Sequence, residues 1–259
     1  MKATFYIAIV SFFLAFSCGS DDMQPGEMTS NPKNPVPQNP VPQNPNPQNP
    51  DPQNPVSAIK YLALGDSYTI GQNVCATCRF PAQLEVAIKQ EMPGNAVDLE
   101  IIATTGWTTT NLLSAIQSSD LASDNDLVTL LIGVNNQYQN KPFSVYQTEF
   151  PQLVNRAVTL GRNDKNNVIV ISIPDYAFTP YAQNSPNAPL ITQELQQYND
   201  FAAAYCASEG IKFVYITDIT QSGIQNPWLV ASDGLHPSQS AYALFVERIL
   251  PRALEALDD

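Results

Sequence analysis

The chain of 259 residues predicts one α/β domain in three layers, an α/β/α sandwich around a five-stranded parallel sheet. Three observations predict it. From residue 60 onward, short apolar runs of strand length alternate with longer stretches of helical spacing, the pattern of strands joined by crossover helices. The apolar runs read as buried, as expected of strands covered on both faces. About 200 residues carry this pattern, enough for a single domain with a sizeable core.

The elements follow in order. Residues 61–64 read as the first buried strand, and 79–91 as a helix with Pro81 in its first turn, where a missing amide costs nothing. Residues 97–103 form the second strand, 109–118 a helix and 127–132 the third strand. A helix over 145–160 stops at Gly161 as its C-cap. Residues 168–173 are the most strand-like run in the chain. A helix over 192–209 stopped by Gly210, a short strand over 212–216 and a final helix over 238–257 complete the series. Ligands in such folds lie beyond the carboxyl ends of the strands, so the residues after each strand are the candidates for chemistry.

The first 57 residues have a different composition and divide into two segments. Residues 1–17 carry Lys2 and then an almost entirely apolar run to Phe16, too short to span a bilayer comfortably and matching an export signal. Leu14, Ala15, Phe16, Ser17 and Cys18 resemble the lipobox of bacterial lipoproteins, in which the cysteine is lipidated and becomes the first mature residue. Here Leu14 lies one residue earlier than the usual leucine, whose place Ala15 takes. Cys18 is therefore the expected lipid anchor, the bacterial cell envelope the expected location, and the membrane a partner through that lipid. Asp21 and Asp22 point to the outer membrane or cell surface. An ordinary secretory signal is the alternative. Residues 18–57 form a linker that repeats PQNPV, PQNPN, PQNPD and PQNPV from Pro37. Repeated proline removes amide donors and fixes φ, so this stretch is expected to be an extended stalk. Residues 58–259 are then the folded domain.

A formal net charge of −12 argues against a nucleic-acid partner, which needs clustered Lys and Arg. Apart from Cys18, three cysteines remain. Cys75 and Cys78 form a CxxC that reads either as a small disulfide in an oxidising compartment or as a redox pair. Zinc is not expected, because further ligands of matching spacing are missing. Cys206, within a helical stretch, reads as a buried thiol.

Gly65, Asp66, Ser67 and Tyr68 follow the first strand. A serine at a strand end exposes its hydroxyl and offers its own amide to a developing oxyanion. Asp66 beside it reads as a hydrogen-bonding residue of the turn. Thr104, Thr105, Gly106 and Trp107 follow the second strand, and Gly133, Val134, Asn135 and Asn136 the third. The Gly106 amide and the Asn135 side-chain amide are candidate oxyanion donors. His236 is the single histidine of the chain, and imidazole is the usual general base for a serine nucleophile. Asp233, three residues upstream, can reach back to its Nδ1 and hold the ring.

Four blocks in this order resemble the GDSL family of esterases and lipases, also called SGNH hydrolases after Ser, Gly, Asn and His in separate blocks. GDSY carries Ser67, TTGW carries Gly106, GVNN carries Asn135, and DGLHPS carries Asp233 and His236. The resemblance covers about residues 60–257. The chain contains no GxSxG, which argues against an ordinary α/β-hydrolase nucleophile elbow. The resemblance implies a flavodoxin-like sheet, Ser67, His236 and Asp233 as a catalytic triad, and Ser67, Gly106 and Asn135 as the oxyanion hole. It implies a monomer that works without metal or organic cofactor on an acyl ester, a lysophospholipid or an acetylated sugar. Where the family's third block usually reads GxND, this chain has Asn136, a departure that bears on loop geometry more than on catalysis. Trp107 and Tyr138 flank the oxyanion residues and read equally as pocket walls or core. Residues 174–181 read as one wall of the cleft or as a plain exposed connection. The alternative from another class is a surface binding protein for glycans or partners, inactive on the same fold.

Overall fold

The computed structural model describes residues 58–258. The expected export signal, Cys18 and the expected linker lie outside the described residues. Strands β1 (Ile59–Gly65), β2 (Val97–Ala103), β3 (Leu127–Leu131), β4 (Val168–Ile171) and β5 (Lys212–Val214) form one sheet in the order β2-β1-β3-β4-β5. All four pairings are parallel. The long helices are α2 (Phe80–Glu91), α3 (Thr109–Ser118), α5 (Phe143–Leu160), α6 (Ala188–Glu209) and α8 (Gln239–Leu257). α2 packs on α8, while α3, α5 and α6 pack in series, so the sheet lies between two helical layers. Three short helices follow strands: α1 (Ser67–Ile70), α4 (Val134–Tyr138) and α7 (Thr217–Gln221).

β3 shows why the sheet forms. Every residue of Leu127–Leu131 is buried, and burying one such leucine contributes roughly 1.5–3 kcal/mol. Thr129 is the polar exception and is satisfied by Tyr61 Oη at 3.0 Å.

The helix ends follow local chemistry. Ser238 Oγ accepts from the Ala241 amide at 3.2 Å and caps α8. Thr108 and Asn111 form a reciprocal capping box at the start of α3. Gly161 closes α5 as expected, with its amide on Ala157 O, and Gly210 closes α6 with φ of 71°.

The chain leaves β1 to build β2 on one side and then crosses to β3 on the other. Strand order therefore reverses between β1 and β3, where the ends of the strands splay apart and leave a crevice. Gly65 at the end of β1 has room for no side chain: a Cβ there would lie 2.5 Å from Leu131 O of β3. The turn after β1 is thereby pressed directly against the end of β3.

Candidate active site

Ser67 opens α1 immediately after β1. Asp66 caps that helix through its side chain, which accepts from the Tyr68 amide at 3.0 Å. Burial pushes the Asp66 carboxyl up to about 7, although the amides of Tyr68, Asp66 itself and Gly133 all lower it. Asp66 is therefore the turn residue expected from the sequence.

Gly106 follows β2 with φ of 85°. Its carbonyl accepts from Gln139 Nε2 at 2.8 Å. Among the described residues, the amides of Ser67 and Gly106 have no acceptor within the protein. Gly133 follows β3 with φ of 129°, and a Cβ there would lie 2.6 Å from the Tyr146 ring. Only glycine satisfies both demands. The turn it permits starts α4, whose second residue is Asn135. One hydrogen of the Asn135 side-chain amide is donated to Trp107 O at 3.0 Å, which orients the group and leaves its second hydrogen available.

Asn136 supports this loop, where the sequence left its geometry in question. It is fully buried, accepts from the Thr109 amide at 2.9 Å and donates to Thr109 Oγ1 at 2.6 Å. An amide, unlike a carboxylate, both accepts and donates, and here it binds α4 to the start of α3 with both capacities used.

His236 and Asp233 belong to the connection between α7 and α8. His236 Nδ1 lies 2.6 Å from Asp233 Oδ2, and Asp233 Oδ1 accepts the His236 and Leu235 amides at 3.0 Å each. Burial raises the Asp233 carboxyl, but those amides and the imidazole outweigh it and hold it below the ordinary aspartate value. A carboxylate fixed on Nδ1 selects the tautomer in which Nε2 carries the free lone pair. The loop is held from outside by the Tyr181 amide, which donates to Gly234 O at 2.9 Å. On the ring itself, Tyr68 packs edge-on with centroids 5.8 Å apart.

The structure brings these residues to one place. A cleft of about 180 Å³ is lined by Ser67, Gly106, Asn135 and His236, with Asp233 behind the imidazole. No hydrogen bond joins Ser67 Oγ to the His236 ring among the described residues, the open arrangement common in sites without substrate. Tyr68, Val134, Tyr138, Tyr176 and Leu235 also line the cleft. Tyr138 is thus a pocket wall, whereas Trp107 packs against the core. Of residues 174–181, Tyr176 reaches the cleft. Tyr176 thus decides for the cleft wall between the two readings of its segment, whereas Leu235, although inside the DGLHPS block, is not singled out by the sequence because an apolar residue there carries no chemistry of its own.

Cys75 and Cys78 are joined as a disulfide, and Cys206 is a buried free thiol. Among the described residues no group of His, Cys, Asp and Glu is arranged to hold a metal ion.

Comparison with known proteins places this geometry in context. Residues 63–244 match the model of the GDSL-like Lipase/Acylhydrolase family. No curated protein sequence is a match. Among solved structures, TesA is similar at a TM-score of 0.59 and 18% identity, covering 76% of this chain and 99% of that one. A variant of Axe2, an acetyl xylan esterase from Geobacillus stearothermophilus, has a TM-score of 0.60 at 16% identity, covering 76% of this chain and 95% of that one. A GDSL-like lipase from Bacteroides thetaiotaomicron has a TM-score of 0.56 at 19% identity, covering 77% of this chain and 89% of that one. At these identities the likeness is one of fold.

Proposed function

Because the chain belongs to the GDSL-like lipase/acylhydrolase family and is a carboxylic ester hydrolase, we propose that it works by a serine mechanism on esters of short acyl groups. Ser67 Oγ attacks the ester carbonyl while its proton passes to His236 Nε2. Asp233 stabilises the imidazolium and keeps the ring oriented. The negative charge that develops on the carbonyl oxygen meets the Ser67 and Gly106 amides and the second hydrogen of the Asn135 side chain. Collapse breaks the ester C–O bond, and His236 returns the proton to the departing alcohol oxygen. Water then enters by the same route in reverse, cleaves the acyl–Ser67 ester and releases the acid.

The observation that carries this reading is the common cleft: residues distant in sequence, from the ends of three different strands and the last loop, line about 180 Å³. A cleft of that size, enclosed by Tyr138 and Tyr176, suits an acetyl or similarly short acyl group. Among the structural neighbours, Axe2 is by name an acetyl xylan esterase, and that agrees with the reading. From the sequence we also propose that Cys18 carries a lipid and holds the enzyme at the cell envelope.

The test is hydrolysis of p-nitrophenyl acetate by the purified chain from Gly19 onward, beside Ser67→Ala and Asn135→Ala. Ser67→Ala is expected to be inactive. Asn135→Ala is expected to lose about 10²–10³ in kcat, the effect of removing one oxyanion donor. Equal hydrolysis by wild type and Ser67→Ala would rule out the serine mechanism, and no hydrolysis by any of the three would point to the binding-protein alternative.

A further inference from the structure

The cleft does not end at its tyrosines. Tyr138 and Tyr176 also line a second cavity of about 460 Å³, more than twice the volume of the cleft at about 180 Å³. Beyond it, Gln137, Asn140 and Glu194 are shared with a third cavity of about 190 Å³. The three spaces share walls and follow one another from Ser67 past α4 towards α6, and we treat them together as a groove.

The chemistry changes along this groove. Around Ser67 the lining is mostly apolar, as a small acyl group requires. In the second cavity it turns polar. Tyr181 and Tyr138 are 55% and 47% exposed. Their hydroxyls meet at 2.8 Å, and the rings lie 6.4 Å apart and inclined at 43°. Tyr138 also packs edge-on against Tyr176, 5.8 Å away. The rings are thus held in place before any ligand arrives, so little ordering entropy is lost on binding. A relay fixes the polar wall: Tyr176 Oη donates to Gln137 Oε1 at 2.9 Å, and Gln137 Nε2 donates to Glu194 Oε2 at 2.7 Å. Glu194, Asn140, Ser185 and Asn187 line the same cavity.

Preordered ring faces beside fixed hydrogen-bonding groups suit a ligand with C–H faces and hydroxyl edges, which is the description of a pyranose. The second cavity, which adjoins the cleft, has no lysine or arginine in its lining, and its one charged group, the Glu194 carboxylate, repels a phosphate there; the groove's one lysine, Lys141, lies farther out, in the third cavity. A polar groove likewise gives no apolar path for a long acyl tail. We propose that this groove is the subsite for the alcohol portion of the ester and takes a neutral oligosaccharide, so that the substrate is an O-acetylated sugar chain rather than a lysophospholipid. The proposal rests on the serine reading above: the acetyl group is transferred to Ser67 Oγ, and the sugar oxygen departs towards the groove carrying the proton from His236.

The experiment compares kcat/KM on p-nitrophenyl acetate, mono-O-acetyl xylose, O-acetylated xylotetraose and mannotetraose, and palmitoyl lysophosphatidylcholine. Binding energy from remote sugar units is expected to raise kcat/KM about tenfold or more from the monosaccharide to at least one tetrasaccharide. In Tyr181→Ala and Glu194→Lys, the ratio of tetrasaccharide to p-nitrophenyl acetate activity is expected to fall about fivefold or more. The contact from Tyr181 to Gly234 is made by the backbone and survives the first change. Hydrolysis of p-nitrophenyl acetate with no gain from chain length, an unchanged ratio in both variants, or preference for the lysophospholipid would each overturn the proposal while leaving the serine mechanism standing. Should Ser67→Ala prove as active as wild type, or wild type prove inactive, the serine mechanism falls, and calorimetric titration of the Ser67→Ala protein with unacetylated xylotetraose and mannotetraose reads the groove alone. Binding of either supports the subsite, and binding of neither overturns it.

Discussion

Asp66 shares the turn with Ser67, is fully buried and has one carboxylate oxygen without a hydrogen-bond partner. Desolvation raises its carboxyl to about 7, against the three amides that lower it. In the unfolded chain the same group titrates near 4. Between these values the folded state holds a proton that the unfolded state has released, so stability falls as pH rises through about 4 to 7 and is flat above. The difference is on the order of 4 kcal/mol at neutral pH. Asp66→Asn is uncharged and keeps an oxygen for the Tyr68 amide. Its melting midpoint is therefore expected to change less than that of wild type from about pH 5 to about pH 8. Equal slopes in calorimetric scans would contradict this assignment. At this scale the sequence identified Ser67, Gly106, Asn135, Asp233 and His236 as candidates, and all five meet around one cleft. Asn136 shows the limit of such reading: a change of residue type suggested an altered loop, but its pairing with Thr109 depends on a contact between α3 and α4 that spacing does not reveal.

At the scale of elements, the disulfide closes part of the connection between α1 and α2, and that connection touches the loop carrying His236. Asn73 Nδ2 donates to Ser232 Oγ at 2.9 Å, one residue before Asp233. Gln83 Nε2, on α2, reaches Gln239 O at 3.1 Å at the start of α8. Replacing Cys75 and Cys78 together by serine is expected to cost about 2 kcal/mol, the loop-entropy value for so short a closure. Chemical denaturation measures it, and a stability equal to wild type would show that the loop is held by its other contacts. Element boundaries were legible where hydrogen bonding is local: β2 and α3 begin and end at the residues the pattern predicts. β4 ends at Ile171, two residues short of its apolar run. The reason is Asn199 on α6, whose side chain accepts from the Ile173 amide at 2.8 Å and donates to Ile173 O at 3.1 Å. A side chain distant in sequence thus takes the place of a strand partner. β5 is shortened similarly, since the Ile216 amide goes to Ser172 Oγ at 2.8 Å. The short helices α1, α4 and α7 were not predicted, being too brief for helical periodicity to register.

At the scale of the whole molecule, an acidic domain follows 57 residues whose composition is apolar at first and proline-rich later. Lipidation at Cys18 is tested by fractionating cells that express the full chain. Wild type is expected with the membranes and Cys18→Ala in the soluble fraction; membrane retention of both would refute the anchor. None of the described helices is long and apolar enough to cross a membrane.

The sequence by itself determined the α/β architecture, the order of the elements and the identity of the motif residues. Each depends on features local to the chain: apolar spacing, capping residues, and the chemistry of a serine, a histidine and a carboxylate three residues apart. The tertiary structure alone decided the shape of the site. Strand order reverses between β1 and β3, and this brings Ser67 and Asn135 to one crevice although 68 positions separate them (135 − 67). The pairing of β3 with β4 places Tyr138 against Tyr176 and Tyr181. Ring-to-ring contacts between segments distant in sequence leave no trace in periodicity, and so the groove that extends the site could be seen only once the sheet was assembled.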